Sequence, residues 1–68
     1  MKYYFLRNEK GWGVHYINGY LCWRKMTTLE AVENVTKFST KKEAKLFAKE
    51  REVPYSSLGK VSIEVSDA

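Results

Sequence analysis

The chain has 68 residues, 44% hydrophobic and 15% aromatic, with a formal net charge of +4. That length gives one small domain, residues 1–68, with no room for a second core. One Cys and one His exclude an internal disulfide and a zinc site built from this chain alone, and the basic balance excludes a mimic of DNA.

No apolar run approaches the roughly 18 residues needed to span a bilayer. The opening Met1-Lys2-Tyr3-Tyr4-Phe5-Leu6-Arg7 has too short a hydrophobic stretch for a secretory signal. A lone thiol suits a reducing compartment. The expectation is a cytoplasmic protein with no membrane partner, held together by packing and either monomeric or homodimeric.

Lys2 to Arg7 reads as a first strand. Asn8-Glu9-Lys10-Gly11 then suits a type I turn, with Asn at its first position and Gly as the bulge of a three-residue loop. That loop pairs Asn8 with Trp12, Leu6 with Val14 and Tyr4 with Tyr16. A four-residue loop would slip the register by one and exchange the two faces of the strand.

Trp12 to Trp23 organises the rest of the chain. Asn18-Gly19 tolerates positive φ and predicts a two-residue type I′ hairpin between runs of β-branched and aromatic residues. The turn sets Ile17 opposite Tyr20, Tyr16 opposite Leu21, His15 opposite Cys22 and Val14 opposite Trp23. Side-chain alternation then gives the ribbon two different faces. Trp12, Val14, Tyr16, Leu21 and Trp23, joined by Tyr4 and Leu6, form an apolar face directed at a core. His15, Ile17, Tyr20, Cys22 and Arg24, joined by Tyr3, Phe5 and Arg7, form an aromatic and basic face directed outward.

Beyond Trp23, Thr27-Thr28-Leu29-Glu30 resembles a capping box ahead of Ala31, Val32 and Val35, which fits either a helical turn or a long loop. Val35 to Phe38 favours a short extended segment. Thr40-Lys41-Lys42-Glu43 is a cleaner helix start, with the Thr hydroxyl placed to accept from the N–H of Glu43. This helix should run to about Arg51 and stop before Pro54. It gathers Ala44, Phe47, Ala48 and Arg51 on one face, with Leu46 alongside, and lines Lys41, Lys45 and Lys49 on the other. Tyr55 to Lys60 reads as a loop, and Val61 to Ser66 alternates as a last strand. The fold class is α+β: a three- to four-stranded antiparallel sheet in the order β-β-β-α-β, with one main helix on one face.

Catalytic constellations are weak. His15 and Cys22 are cross-strand neighbours, but no orienting carboxylate or oxyanion site lies near them in sequence. Gly11-Trp12-Gly13 lacks the spacing of a phosphate loop. No enzyme activity, metal or cofactor is expected. Tyr3, Phe5, Arg7, His15, Tyr20 and Arg24 form the candidate binding set. Rings among cations on an open sheet can stack bases or hold phosphate, and they equally suit a protein interface. The segment from Thr28 to Val35, or a second copy of the chain, is a third candidate to cover that face. Lys41, Lys45 and Lys49 are candidate contacts to phosphate or an acidic surface, or simply a solvated helix face.

Phe38-Ser39-Thr40-Lys41-Lys42-Glu43-Ala44-Lys45-Leu46-Phe47-Ala48-Lys49-Glu50 resembles the strand-to-helix segment of the arm-type DNA-binding domains of phage integrases. That resemblance implies a sheet in the DNA major groove with the helix behind it, and DNA contacts from Arg7, His15, Tyr20 and Arg24. The likeness covers about a fifth of the chain, which differs in its added strand Val61 to Ser66. In length, aromatic hairpins and helix entry, the whole chain also resembles small accessory proteins encoded by bacteriophages. This second likeness implies stoichiometric binding to a host or antiviral-defence protein in the host-cell cytoplasm.

Overall fold

The computed structural model describes residues 2–62. Its elements are β1 (Lys2–Arg7), β2 (Gly13–Ile17), β3 (Tyr20–Arg24), α1 (Leu29–Asn34), α2 (Lys41–Arg51) and β4 (Ser57–Ser62). The strands form one antiparallel sheet in the order β3-β2-β1-β4, so the fold is α+β.

Local sequence chemistry builds both hairpins. Asn18 and Gly19 both take positive φ (50° and 83°), and the β2–β3 register is the one their two-residue turn dictates, from Ile17↔Tyr20 to Gly13↔Arg24. In the first turn, Asn8 Oδ1 accepts from the N–H groups of Lys10 (3.0 Å) and Trp12 (2.9 Å). Gly11 closes the turn onto the Asn8 carbonyl and supplies the positive φ of the bulge. Asn8 pairs with Trp12 and Arg7 with Gly13, as the three-residue loop requires.

Beyond Arg7↔Gly13 the two strands part, and the extended residues 36–38 enter between them. Phe38 exchanges both backbone hydrogen bonds with Tyr4, each 2.8 Å long. Thr36 donates its N–H to the Val14 carbonyl (3.0 Å) and accepts the Tyr16 N–H at its hydroxyl (2.8 Å). Tyr4 therefore pairs with Phe38 and not with Tyr16. A short β1–β2 ladder leaves backbone groups that the later segment satisfies.

Helix α2 begins where its cap predicts, with Thr40 Oγ1 accepting from the Glu43 N–H at 3.1 Å. It ends at Glu52, which takes the left-handed conformation, and the Val53 N–H returns to the Ala48 carbonyl. The small residues Ala44 and Ala48 bring it close to the sheet. There they pack with Leu6, Val14 and Val53, while Trp23, Phe38, Phe47, Tyr55 and Leu58 close the cluster. Leu46 faces solvent, so it does not join this face.

The 28–35 segment resolves as helix. Thr28 caps α1, accepting from the Ala31 N–H at 3.1 Å, one residue later than a box starting at Thr27 would give. At the other end the Lys37 ammonium donates to the carbonyls of Glu33 and Val35, where the helix dipole favours a cation. The short α1 thus joins the expected order, in which α2 is the main helix. The chain from Ser57 to Lys60 is strand, where a loop was expected, because Gly59 lets it lie close beside β1 beneath the Phe5 ring. Val61 and Ser62 complete β4, while the rest of the strand expected to Ser66 lies outside the described residues.

Candidate functional site

The aromatic and basic face does not emerge as one open surface. Phe5 is only 5% exposed. Its ring lies against Gly59 on β4, and a side chain at Gly59 would fall on the ring edge. On the other flank, a Cβ at Gly13 would meet Met26 Sδ and Val35 Cγ2 at 2.8 Å each, and Phe5 Cδ2 at 3.1 Å. Two glycines on the strands either side of β1 make room for one ring, and the 26–35 segment closes over it. Phe5 is therefore a core residue of the outer side and not a binding residue. Of the segment Thr28 to Val35, expected as one candidate to cover this face, Val35 lies at this end together with Met26 from outside it.

Arg7 is half-buried, its aliphatic Cδ over Gly59 and its guanidinium near Gly11. Tyr3 and His15 are also half-buried. What stays open is the tip of the β2–β3 hairpin and the outer side of β3 down to its base. Tyr20 is 75% exposed and Ile17 49%, with Cys22 and Arg24 exposed on the same face. The predicted set thus divides by burial: Tyr20 at the tip and Arg24 at the base, in the row of Gly13 and Arg7, are exposed on β3, while Tyr3, Arg7 and His15 are half-buried and Phe5 is buried. On the opposite face Leu21 is 38% exposed, because α2 does not extend over the hairpin tip as an apolar strand face would require.

The core-directed half of the ribbon behaves otherwise as its alternation predicts. Val14 is fully buried. Tyr16 meets Phe47 edge-on, with centroids 5.4 Å apart, and Phe47 meets Phe38 at 5.1 Å. The Arg51 guanidinium lies 5.4 Å from the Tyr16 ring centre and donates to the Tyr16 hydroxyl at 3.3 Å.

Two hollows arise from contacts distant in sequence. Trp12, Trp23, Pro54 and Tyr55, with Asn8, Glu9, Lys10 and Ser56, line one of about 550 Å³. The ammonium groups of Lys10 and Lys25 sit 5.5 Å and 5.6 Å from the Trp12 ring. Parity assigns both tryptophans to the core face but gives no sign that the Pro54-Tyr55 turn returns beside them and leaves a cleft. The second hollow, about 390 Å³, is lined by Tyr4, Lys41, Lys45, Leu58 and Lys60. Lys41 and Lys60 stand 5.8 Å and 5.9 Å from the Tyr4 ring. Two members of the predicted lysine row therefore meet a third cation from β4, while Lys49 is not among the lining residues.

Among the described residues, no three His, Cys, Asp or Glu side chains gather as a metal site would need. None of their helices is long and apolar enough to cross a membrane. His15 and Cys22 are paired across β2 and β3, as the turn predicts. No protein family, curated protein or solved structure matches this chain.

Proposed function

We propose that this chain is a non-enzymatic accessory protein of the phage type. It modulates a host or antiviral-defence factor in the cytoplasm by stoichiometric binding through the open end of its aromatic and basic sheet face. The observation that carries this reading is the exposure of Tyr20 (75%) and Ile17 (49%) at the tip of the hairpin, on an outer side of β3 that also exposes Arg24 at its base. Tyrosine and arginine anchor interfaces because each offers a broad apolar surface together with a directed polar group. A tethered base also lowers the ordering cost of the contact.

Affinity capture from a bacterial lysate tests it. The parent chain should retain a protein at a fixed ratio, and Tyr20→Ala should lose it. The same protein retained at the same ratio by Tyr20→Ala would remove this surface from the reading.

A second reading, DNA binding, draws on the lysine hollow around Tyr4, where Lys41, Lys45 and Lys60 converge. Three cations around a half-buried ring suit a phosphate. It predicts retention on a DNA column that falls steeply with salt, and a shallower salt slope for Lys41→Ala or Lys60→Ala. Negligible retention at low salt would end it.

A further inference from the structure

β3 is an edge of the sheet, and only half of its backbone is used. The two-residue turn makes Ile17↔Tyr20 a hydrogen-bonded pair, so His15↔Cys22 and Gly13↔Arg24 are hydrogen-bonded as well. In the intervening pairs, Tyr16↔Leu21 and Val14↔Trp23, N–H and C=O point away from the partner strand. On the β2 side Thr36 takes those groups, at the Val14 carbonyl and the Tyr16 N–H. On the β3 side the corresponding groups of Leu21 and Trp23 point along the open edge. The strand, Tyr-Leu-Cys-Trp-Arg, contains no proline and no charge before its last residue, and its pairing shows no bulge. It therefore lacks the devices that usually keep an edge from pairing.

We propose that the chain forms a homodimer by antiparallel pairing of β3 with β3 of a second copy, on a two-fold axis at Cys22. The occupant and the register follow from the strand itself. Extending the sheet requires outward groups to meet outward groups, so Leu21 and Trp23 must face residues of the same kind. Registers centred on Leu21, Cys22 or Trp23 satisfy this. Centring on Leu21 sets Trp23 against Gly19 in the turn, and centring on Trp23 sets Tyr20 against Met26 beyond the strand. Centring on Cys22 alone pairs all five residues of β3.

In that register the strand complements itself. Leu21 meets Trp23 on the core-side face, which covers a leucine left 38% exposed. On the outer face the Arg24 guanidinium meets the Tyr20 ring. The same patch serves both copies, as a two-fold interface demands. Among the described residues the largest fully buried side chains are Leu6 and Val14, so this small domain gains sheet and apolar cover from the pairing. Five paired residues make a small interface, so the dimer dissociates on dilution. Tyr20 and Arg24 belong to both surfaces, whereas the edge backbone belongs to the dimer alone, so Leu21→Pro, which keeps both side chains, separates loss of the dimer from loss of partner capture.

Site-specific oxidation tests the register. Cys22 and its copy form a non-hydrogen-bonded pair, with Cα atoms about 4.5 Å apart, inside the span a disulfide bridges. Added diamide accepts two electrons and two protons from the two thiols, leaving one S–S bond between the copies. The parent should link rapidly, and Cys22→Ser should not link. The deciding experiment mixes Tyr20→Cys/Cys22→Ser with Arg24→Cys/Cys22→Ser. The register sets position 20 against position 24, so the mixed dimer should form roughly tenfold faster than either self-linked dimer. Statistical yields of all three products would overturn the proposal. Leu21→Pro removes an outward N–H and no bond to β2. It should sediment as monomer, under reducing conditions, at a concentration where the parent is dimeric, and an unchanged dimer would also overturn the proposal.

Discussion

On β2 the base of the β2–β3 hairpin is enclosed on both faces, whereas the tip is exposed on both. At the base, Val14 lies in the α2 cluster and Gly13 lies under Met26 and Val35. From Ile17 to Cys22 every residue is exposed. Both ends have the same kind of sequence, β-branched and aromatic, and the same paired backbone. The difference comes from two later segments, 26–38 and α2 with its following loop, which reach the base from opposite sides and stop short of the tip. Enclosure fixes the base of the hairpin and leaves its tip open to solvent.

Substitutions at the two ends should therefore separate stability from binding. The largest loss is expected from Leu6→Ala, which opens a cavity among Val14, Ala44 and Ala48. It should cost about 2–5 kcal/mol, read as a lower urea midpoint. Gly59→Ala comes next. The added methyl must displace the Phe5 ring, which is buried, and overpacking of this kind costs about 1–3 kcal/mol. A thermal midpoint unchanged by Gly59→Ala would show that the outer layer is looser than its packing implies.

Thr36→Val removes the hydroxyl that accepts the Tyr16 N–H while keeping the shape of the side chain. About 1–2 kcal/mol should be lost, with faster amide exchange at Tyr16. Slower or equal exchange there would mean that the inserted segment does not hold β2. The smallest stability effect belongs to the tip: Tyr20→Ala should stay within about 0.5 kcal/mol of the parent while losing the captured protein. A marked loss of stability in that variant would make Tyr20 part of the fold and blur the contrast between the two ends.

Much of this arrangement was legible in short windows of sequence. Asn18-Gly19 specifies its turn because both residues accept positive φ, and the turn then fixes every pair up to Gly13↔Arg24. Thr40 specifies the start of α2 through one hydroxyl and one N–H three residues on. Alternation placed Val14 inward and Tyr20 and Arg24 outward. It misplaced Phe5, because parity selects a face but says nothing about what covers it. Leu21 failed for the converse reason: it has the parity of a core residue, but α2 does not reach it. The lysine row was visible as a helical spacing, yet its meeting with Lys60 around Tyr4 depends on where β4 lies.

By itself the sequence determined the two hairpin turns, the β2–β3 pairing, the cap of α2 and the alternation of the strand faces, since each depends on residues within a few positions of one another. Only the tertiary structure decided that 36–38 enters between β1 and β2, that Phe5 fills the space above Gly13 and Gly59, and that the hairpin tip is left uncovered. Those outcomes depend on contacts between segments far apart in the chain. There, backbone hydrogen-bonding needs and available volume select among arrangements that local propensity leaves equivalent.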